Sequence, residues 1–124
     1  QVHGLRIHYE SIKHFALGRL IIGWADPHFQ LATSESDDPY IIDSIGWAYY
    51  LIEDYVKAER FMKRAVELMP EDPIVNDHYG DILWKLNRKI QARYFWKSVL
   101  DLKKTEEKMI KSIESKLIQG LKNT

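Results

Sequence analysis

A shift of 34 residues superimposes this chain on itself through its middle. Asp38 falls on Asp72, Pro39 on Pro73, Asp43 on Asp77, Gly46 on Gly80, Ala58 on Ala92, Phe61 on Phe95, Lys63 on Lys97 and Leu68 on Leu102. Apolar character matches at further positions: Ile41 with Val75, Ile45 with Tyr79, Tyr50 with Trp84, Ile52 with Leu86, Val56 with Ile90, Met62 with Trp96 and Ala65 with Val99. A period of this length is that of a helix pair too small to bury its own apolar face, which must stack on neighbours. Chains built this way generally bind other molecules and rarely catalyse.

The repeat reads as helices in detail. Pro39 and Pro73 each follow an Asp and stand where a first helical turn tolerates a missing N–H. Ile41, Ile45, Ala48, Tyr49 and Ile52 recur at helical spacing and predict a first helix over 40–52. Val56, Ala58, Phe61, Met62, Ala65, Val66 and Met69 predict a second. Gly46 and Gly80 occupy one point in the two copies although Gly costs about 1 kcal/mol against Ala in a helix. That coincidence predicts a close approach of the paired helix, with Ala58 and Ala92 answering from the other side. Between the helices Glu53 and Asn87 stand where a tight turn usually carries Gly; Asn tolerates a positive φ and Glu does so poorly, so the turn is either strained or built differently.

The motif Ile45-Gly46-x-x-Tyr49, followed by Ala58, Ala65 and Pro70, resembles the tetratricopeptide (TPR) repeat. The second copy keeps Tyr79-Gly80-x-x-Leu83 and Ala92 but has Val99 and Lys104 where Ala65 and Pro70 stood. The resemblance covers 39–104, and Asn76-Asp77-His78-Tyr79-Gly80-Asp81 with Ala92-Arg93 looks most like TPR domains of bacterial proteins. It implies an all-α fold of TPR-like helical hairpins, a right-handed α-solenoid closed by a C-terminal capping helix. The corresponding organisation is 1–38 as a helix, a truncated repeat and a polar loop, 39–72 and 73–104 as repeats, and 105–124 as the cap.

The flanks support that organisation. Leu5, Tyr9, Ile12, Ala16, Leu20 and Gly23-Trp24 form one face of a helix over 5–24, within which Leu17-Gly18-x-x-Ile21 looks like a degenerate repeat opening. Gly18 and Gly46 are too close for the full period, so that repeat is truncated. At the other end Thr105 precedes Glu106-Glu107, a cap with acids in the first turn. Ile110, Ile113, Leu117 and Leu121 make one stripe, and Lys108, Lys111, Ser112, Ser115 and Lys116 cover the rest. Repeat arrays close a bare end with such a helix. Removing it should bare Ile90, Val99 and Leu100.

Composition narrows the chemistry. Eighteen basic and eighteen acidic residues leave no net charge, which removes the simplest argument for nucleic acid or a membrane surface. The absence of cysteine excludes disulfides, Cys-based zinc sites and thiol catalysis. Leu20-Ile21-Ile22-Gly23-Trp24-Ala25 is far too short to span a membrane. The chain starts at Gln1 and shows no leader, which reads as a piece of a longer polypeptide; its compartment stays open, with cytoplasm favoured over periplasm.

The resemblance also implies a site. In TPR-like stacking the first helices line a concave groove, which here would present Tyr40, Asp43, Trp47, Tyr50 and Leu51, then Ile74, Asp77, Asp81, Trp84 and Lys85. This surface is aromatic and acidic, whereas Lys57, Arg60, Lys63, Arg64, Lys89, Arg93 and Lys97 lie on the second helices. The acids exclude the clamp by which some TPR domains hold a chaperone's terminal carboxylate. The expected partner is a basic or amphipathic peptide or helix, bound through Tyr40, Asp43, Trp47, Tyr50, Asp77, Asp81, Trp84 and Lys85. The competing expectation is a structural or self-associating segment with no external ligand, and a homo-oligomer fits either. Tyr49, Tyr79, Phe61, Phe95 and Trp96 are assigned to the core. Because those aromatics point inward, the basic second helices offer no base-stacking platform and no nucleic-acid partner is expected. Asp77, His78 and Asp81 make a poor metal set, and no phosphate loop, paired metal-binding His or nucleophile elbow is present. No enzyme activity, metal or cofactor is therefore expected.

Overall fold

The computed structural model describes residues 37–121, and these form five α-helices and no strand. They are α1 (Pro39–Leu51), α2 (Tyr55–Leu68), α3 (Pro73–Lys85), α4 (Lys89–Leu100) and α5 (Glu107–Gln119). The protein is all-α over this range. The expectations for 1–36, including the 5–24 helix and the truncated repeat, lie outside the described residues. The chain divides into two compact units, 1–64 and 65–124, with the division inside α2.

The same local devices build both copies. Asp38 and Asp72 cap α1 and α3: their Oδ1 atoms accept from Tyr40 N at 2.9 Å and Val75 N at 3.0 Å, with Pro39 and Pro73 following. Both helices end in the paired hydrogen bonds of a Schellman turn. Glu53 N donates to Tyr50 O and Asp54 N to Tyr49 O; Asn87 N donates to Trp84 O and Arg88 N to Leu83 O. Glu53 and Asn87 accordingly take left-handed φ values of 66° and 63°. The turn lacking Gly is thus built as a Gly turn is, at a steric cost concentrated on Glu53. Glu53→Gly should stabilise the protein by about 1 kcal/mol, and Asn87→Gly by less, in urea unfolding.

In the first unit the Gly46 prediction holds. A Cβ at Gly46 would stand 3.2 Å from Met62 Cε and 3.3 Å from both Ala58 O and Met62 N, so α1 and α2 meet at this point. Ile42, Ile45, Ala48, Ala58 and Met62 are buried, and Tyr49 stacks on Phe61 with centroids 5.5 Å apart. In the second unit Trp96 takes the position of Met62, and its indole lies directly against Gly80. Val75, Ile82, Leu83, Ala92, Trp96, Val99 and Ile113 are buried there, and Phe95 meets Tyr79 edge-on at 4.7 Å.

Two expectations are corrected. Val56 and Ile90 are 67% and 88% exposed, not part of the buried stripes. The stripes are Ala58, Met62 and Ala65 on α2, and Ala92, Trp96 and Val99 on α4. Val56 and Ile90 precede them by two residues, about 200° around a helix, so helical spacing alone grouped opposite sides. The cap of α5 also differs. Glu106 is its N-cap and makes no side-chain capping bond, while the Thr105 hydroxyl donates to Val99 O at 2.6 Å. Thr105 thereby ties down the α4–α5 connection.

Candidate functional site

The first helices are buried on most sides along their middles. In α1 the buried run is Ile42, Asp43, Ser44, Ile45, Gly46 and Ala48; in α3 it includes Val75, Asn76 and every residue from His78 to Trp84. A helix enclosed this way has no broad polar face to give to a ligand. The expected groove residues therefore separate. Asp43 has no exposed surface, Asp81 is 6% exposed and Trp84 is 7% exposed, so these three are interior residues and not an open acidic wall. Asp77, Lys85, Tyr40, Trp47 and Tyr50 are half-buried.

Within the first unit, Trp47 and Tyr50 come together. Their rings stack at 4.4 Å and 15°, and Tyr50 meets Tyr55 of α2 at 5.6 Å. Leu51, Ile52 and Val56 are exposed beside this aromatic group, as is Glu53. Asp54 adds a second carboxylate, whose Oδ1 accepts from Lys57 N at 3.2 Å as the cap of α2. The end of α1 and the start of α2 thus bring together three aromatic rings, with exposed aliphatic residues and two carboxylates close in the chain. Tyr40 belongs to the first turn of the same helix, and its carbonyl accepts from the Ser44 hydroxyl at 2.9 Å.

In the second unit, α5 meets the acids. Lys116 Nζ donates to Asp77 Oδ1 at 2.7 Å and to Asp81 Oδ1 at 2.9 Å, and Asp81 Oδ1 also accepts from Trp96 Nε1 at 3.0 Å. All three charged side chains are largely enclosed. Trp84 lies 5.5 Å from Trp96, with Lys89 Nζ at 4.8 Å and the Arg93 guanidinium at 4.9 Å from its ring. Gly120, at φ 69°, closes against the same indole; a Cβ there would overlap it. Arg93 Nε donates to Leu117 O at 3.4 Å. The lysine thus does for this acidic face what a basic partner was expected to do.

Lys116 and Gly120 were not among the expected site residues. Lys116 reads as polar cover for α5, although it stands three residues after Ile113 and beside Leu117, at the margin of the apolar stripe. Gly120 carries the usual sign of a helix end. Nothing in the spacing shows which neighbour it closes on. Tyr94, to which no role was assigned, is 67% exposed on α4, so one aromatic of the basic helices points outward.

One ammonium serving two enclosed carboxylates leaves the cluster a negative charge in excess. Burial, and then the neighbouring Asp77, push Asp81 up to about 6, against the opposing pull of Lys116. Burial opposes the charge on Lys116, but Asp81 and Asp77 together raise its pKa above the ordinary lysine value. A carboxyl raised in the folded state binds its proton more tightly there than in the unfolded chain. Its contribution is therefore full below the unfolded value near 4 and is lost as pH rises through about 6. Between pH 7 and pH 4 the protein should gain on the order of 2 kcal/mol relative to Asp81→Asn. Parallel urea titrations of the two proteins measure this, and a constant difference across that range would contradict it.

No family model matches the chain, and neither a curated protein nor a solved structure matches it. Among the described residues, no helix is long and apolar enough to cross a membrane.

Proposed function

We propose that the chain is a TPR-like array of helical hairpins acting as a protein-interaction module. Its contact surface is the aromatic group of α1 and α2, and its partner an amphipathic peptide or helix with basic residues. The repeated Asp–Pro cap, helix-contact Gly and Schellman turn support the repeat reading. The observation that carries the binding reading is the half-buried Trp47–Tyr50 stack, with Leu51, Ile52 and Val56 exposed close to it in the chain. Large aromatics set among exposed aliphatic side chains are the usual composition of an interface centre. Glu53 and Asp54 at its edge favour a cationic partner and would act mainly on the association rate.

Affinity capture with the protein, followed by titration of the recovered partner, tests the proposal. Trp47→Ala should weaken that partner by about 2 kcal/mol, whereas reversing Lys97 on α4 should leave it unchanged. Loss of binding through Lys97 alone would place the contact elsewhere.

A second reading has its own observation. Asp77 and Asp81 already hold Lys116 of the same chain. In that reading the acidic face is a structural seat for α5 and the chain has no external ligand. Failure to capture any partner that responds to Trp47→Ala would favour it.

A further inference from the structure

The helix that meets the acidic face is attached far less extensively than the two helices that form it. Ile113 is the one large side chain of α5 with no exposed surface; Gly120 is buried, Ile118 is 80% exposed, and Ile110 and Leu117 are half-buried. Its N-terminus has no side-chain cap. A helix of 13 residues is marginal by itself in water, so α5 depends on the surface it occupies. By contrast, α3 and α4 are joined through Trp96 against Gly80 and Phe95 against Tyr79. Opening of α5 leaves the α3–α4 contacts intact, which is the pattern of a locally unfolding unit.

The uncovered surface would be selective. Asp77 and Asp81 require an ammonium between them, and the Trp84 indole admits no side chain where Gly120 sits. An occupant must therefore carry an apolar residue, a lysine three positions later and a glycine four beyond that, as Ile113, Lys116 and Gly120 do. The occupant shown to satisfy all three requirements is α5. A second copy of the chain carries the identical helix and meets them equally.

We propose that α5 is an exchangeable occupant of the α3–α4 face, and that the α5 of a second copy can take its place. The exchange breaks and remakes the same contacts, so the two arrangements differ in the linkage of α5 and not in the chemistry of its seat. The residues involved are different from Trp47 and Tyr50, and failure here leaves the reading of that surface standing.

The test uses the full chain and a fluorescent peptide of residues 105–121. Native-state hydrogen exchange should show α5 amides opening at least about tenfold more readily than those of α3 and α4. The peptide should bind the full chain in an anisotropy titration. Lys116→Ala or Gly120→Leu in the peptide should weaken it about 30-fold or more. In the full chain, Lys116→Ala should strengthen binding of the unmodified peptide, because the resident helix competes less. Trp47→Ala in the full chain should leave peptide binding unchanged. The proposal is overturned if α5 exchanges only with global unfolding. Absence of peptide binding to the unmodified chain, or equal binding of the Lys116→Ala peptide, overturns it as well.

Discussion

Lys116→Ala should cost about 3 kcal/mol at neutral pH, because removing one member of an enclosed charge cluster leaves the others without compensation. Asp77 and Asp81 would face each other without an ammonium, and Asp81 would keep the Trp96 N–H as its neutral donor. The loss should shrink as pH falls and Asp81 takes up a proton. Asp81→Asn in the same background should recover much of it, since a neutral amide can still accept from Trp96 and no longer repels Asp77. A double-mutant cycle in urea measures the coupling directly. If the single lysine variant unfolds at the same urea concentration as the unmodified chain, water satisfies those carboxylates and the cluster is not a structural element. Lys116→Met with both aspartates changed to Asn should be at least as stable as the single lysine variant, because no uncompensated charge remains.

Gly80→Ala should destabilise by about 2 kcal/mol, while Gly46→Ala should lie within about 1 kcal/mol of the parent in either direction. Both substitutions gain helix propensity, and they differ in what the new methyl meets. At Gly46 the nearest atom is the end of the flexible Met62 side chain, with backbone atoms slightly farther away. At Gly80 it is the Trp96 ring, which is fully buried, holds Asp81 through Nε1 and packs beside Trp84. An indole fixed on three sides has no rotamer to which it can retreat. Equal effects of the two substitutions in thermal unfolding would show that Trp96 is not so constrained. Trp96→Met should then relieve Gly80→Ala, making the second copy resemble the first.

The sequence by itself determined the helices and their punctuation. A period of 34, an Asp–Pro pair before each first helix, and matched Gly and Ala positions specify local geometry, which depends on residues close together in the chain. Gly46 announced a close helix contact, whereas the room at Gly80 is filled by the Trp96 ring. Glu53 and Asn87 stand where such a turn usually carries Gly, which left a strained turn and a different build both open; their left-handed φ values decide for the former.

Only the tertiary structure decided which faces are open. Asp43, Asp81 and Trp84 have the composition of a binding groove but are buried, and Asp81 and Trp84 meet residues distant in sequence, Lys116 and Gly120. Lys116 lies 35 positions from Asp81, and no periodicity links an isolated lysine to a particular carboxylate. The same limit applies to Val56 and Ile90, whose apolar character fits a buried stripe while their angular position turns them to solvent. Short-range spacing gives a helix its period. The phase of each face, and the charge that meets a buried acid, follow from how complete helices pack.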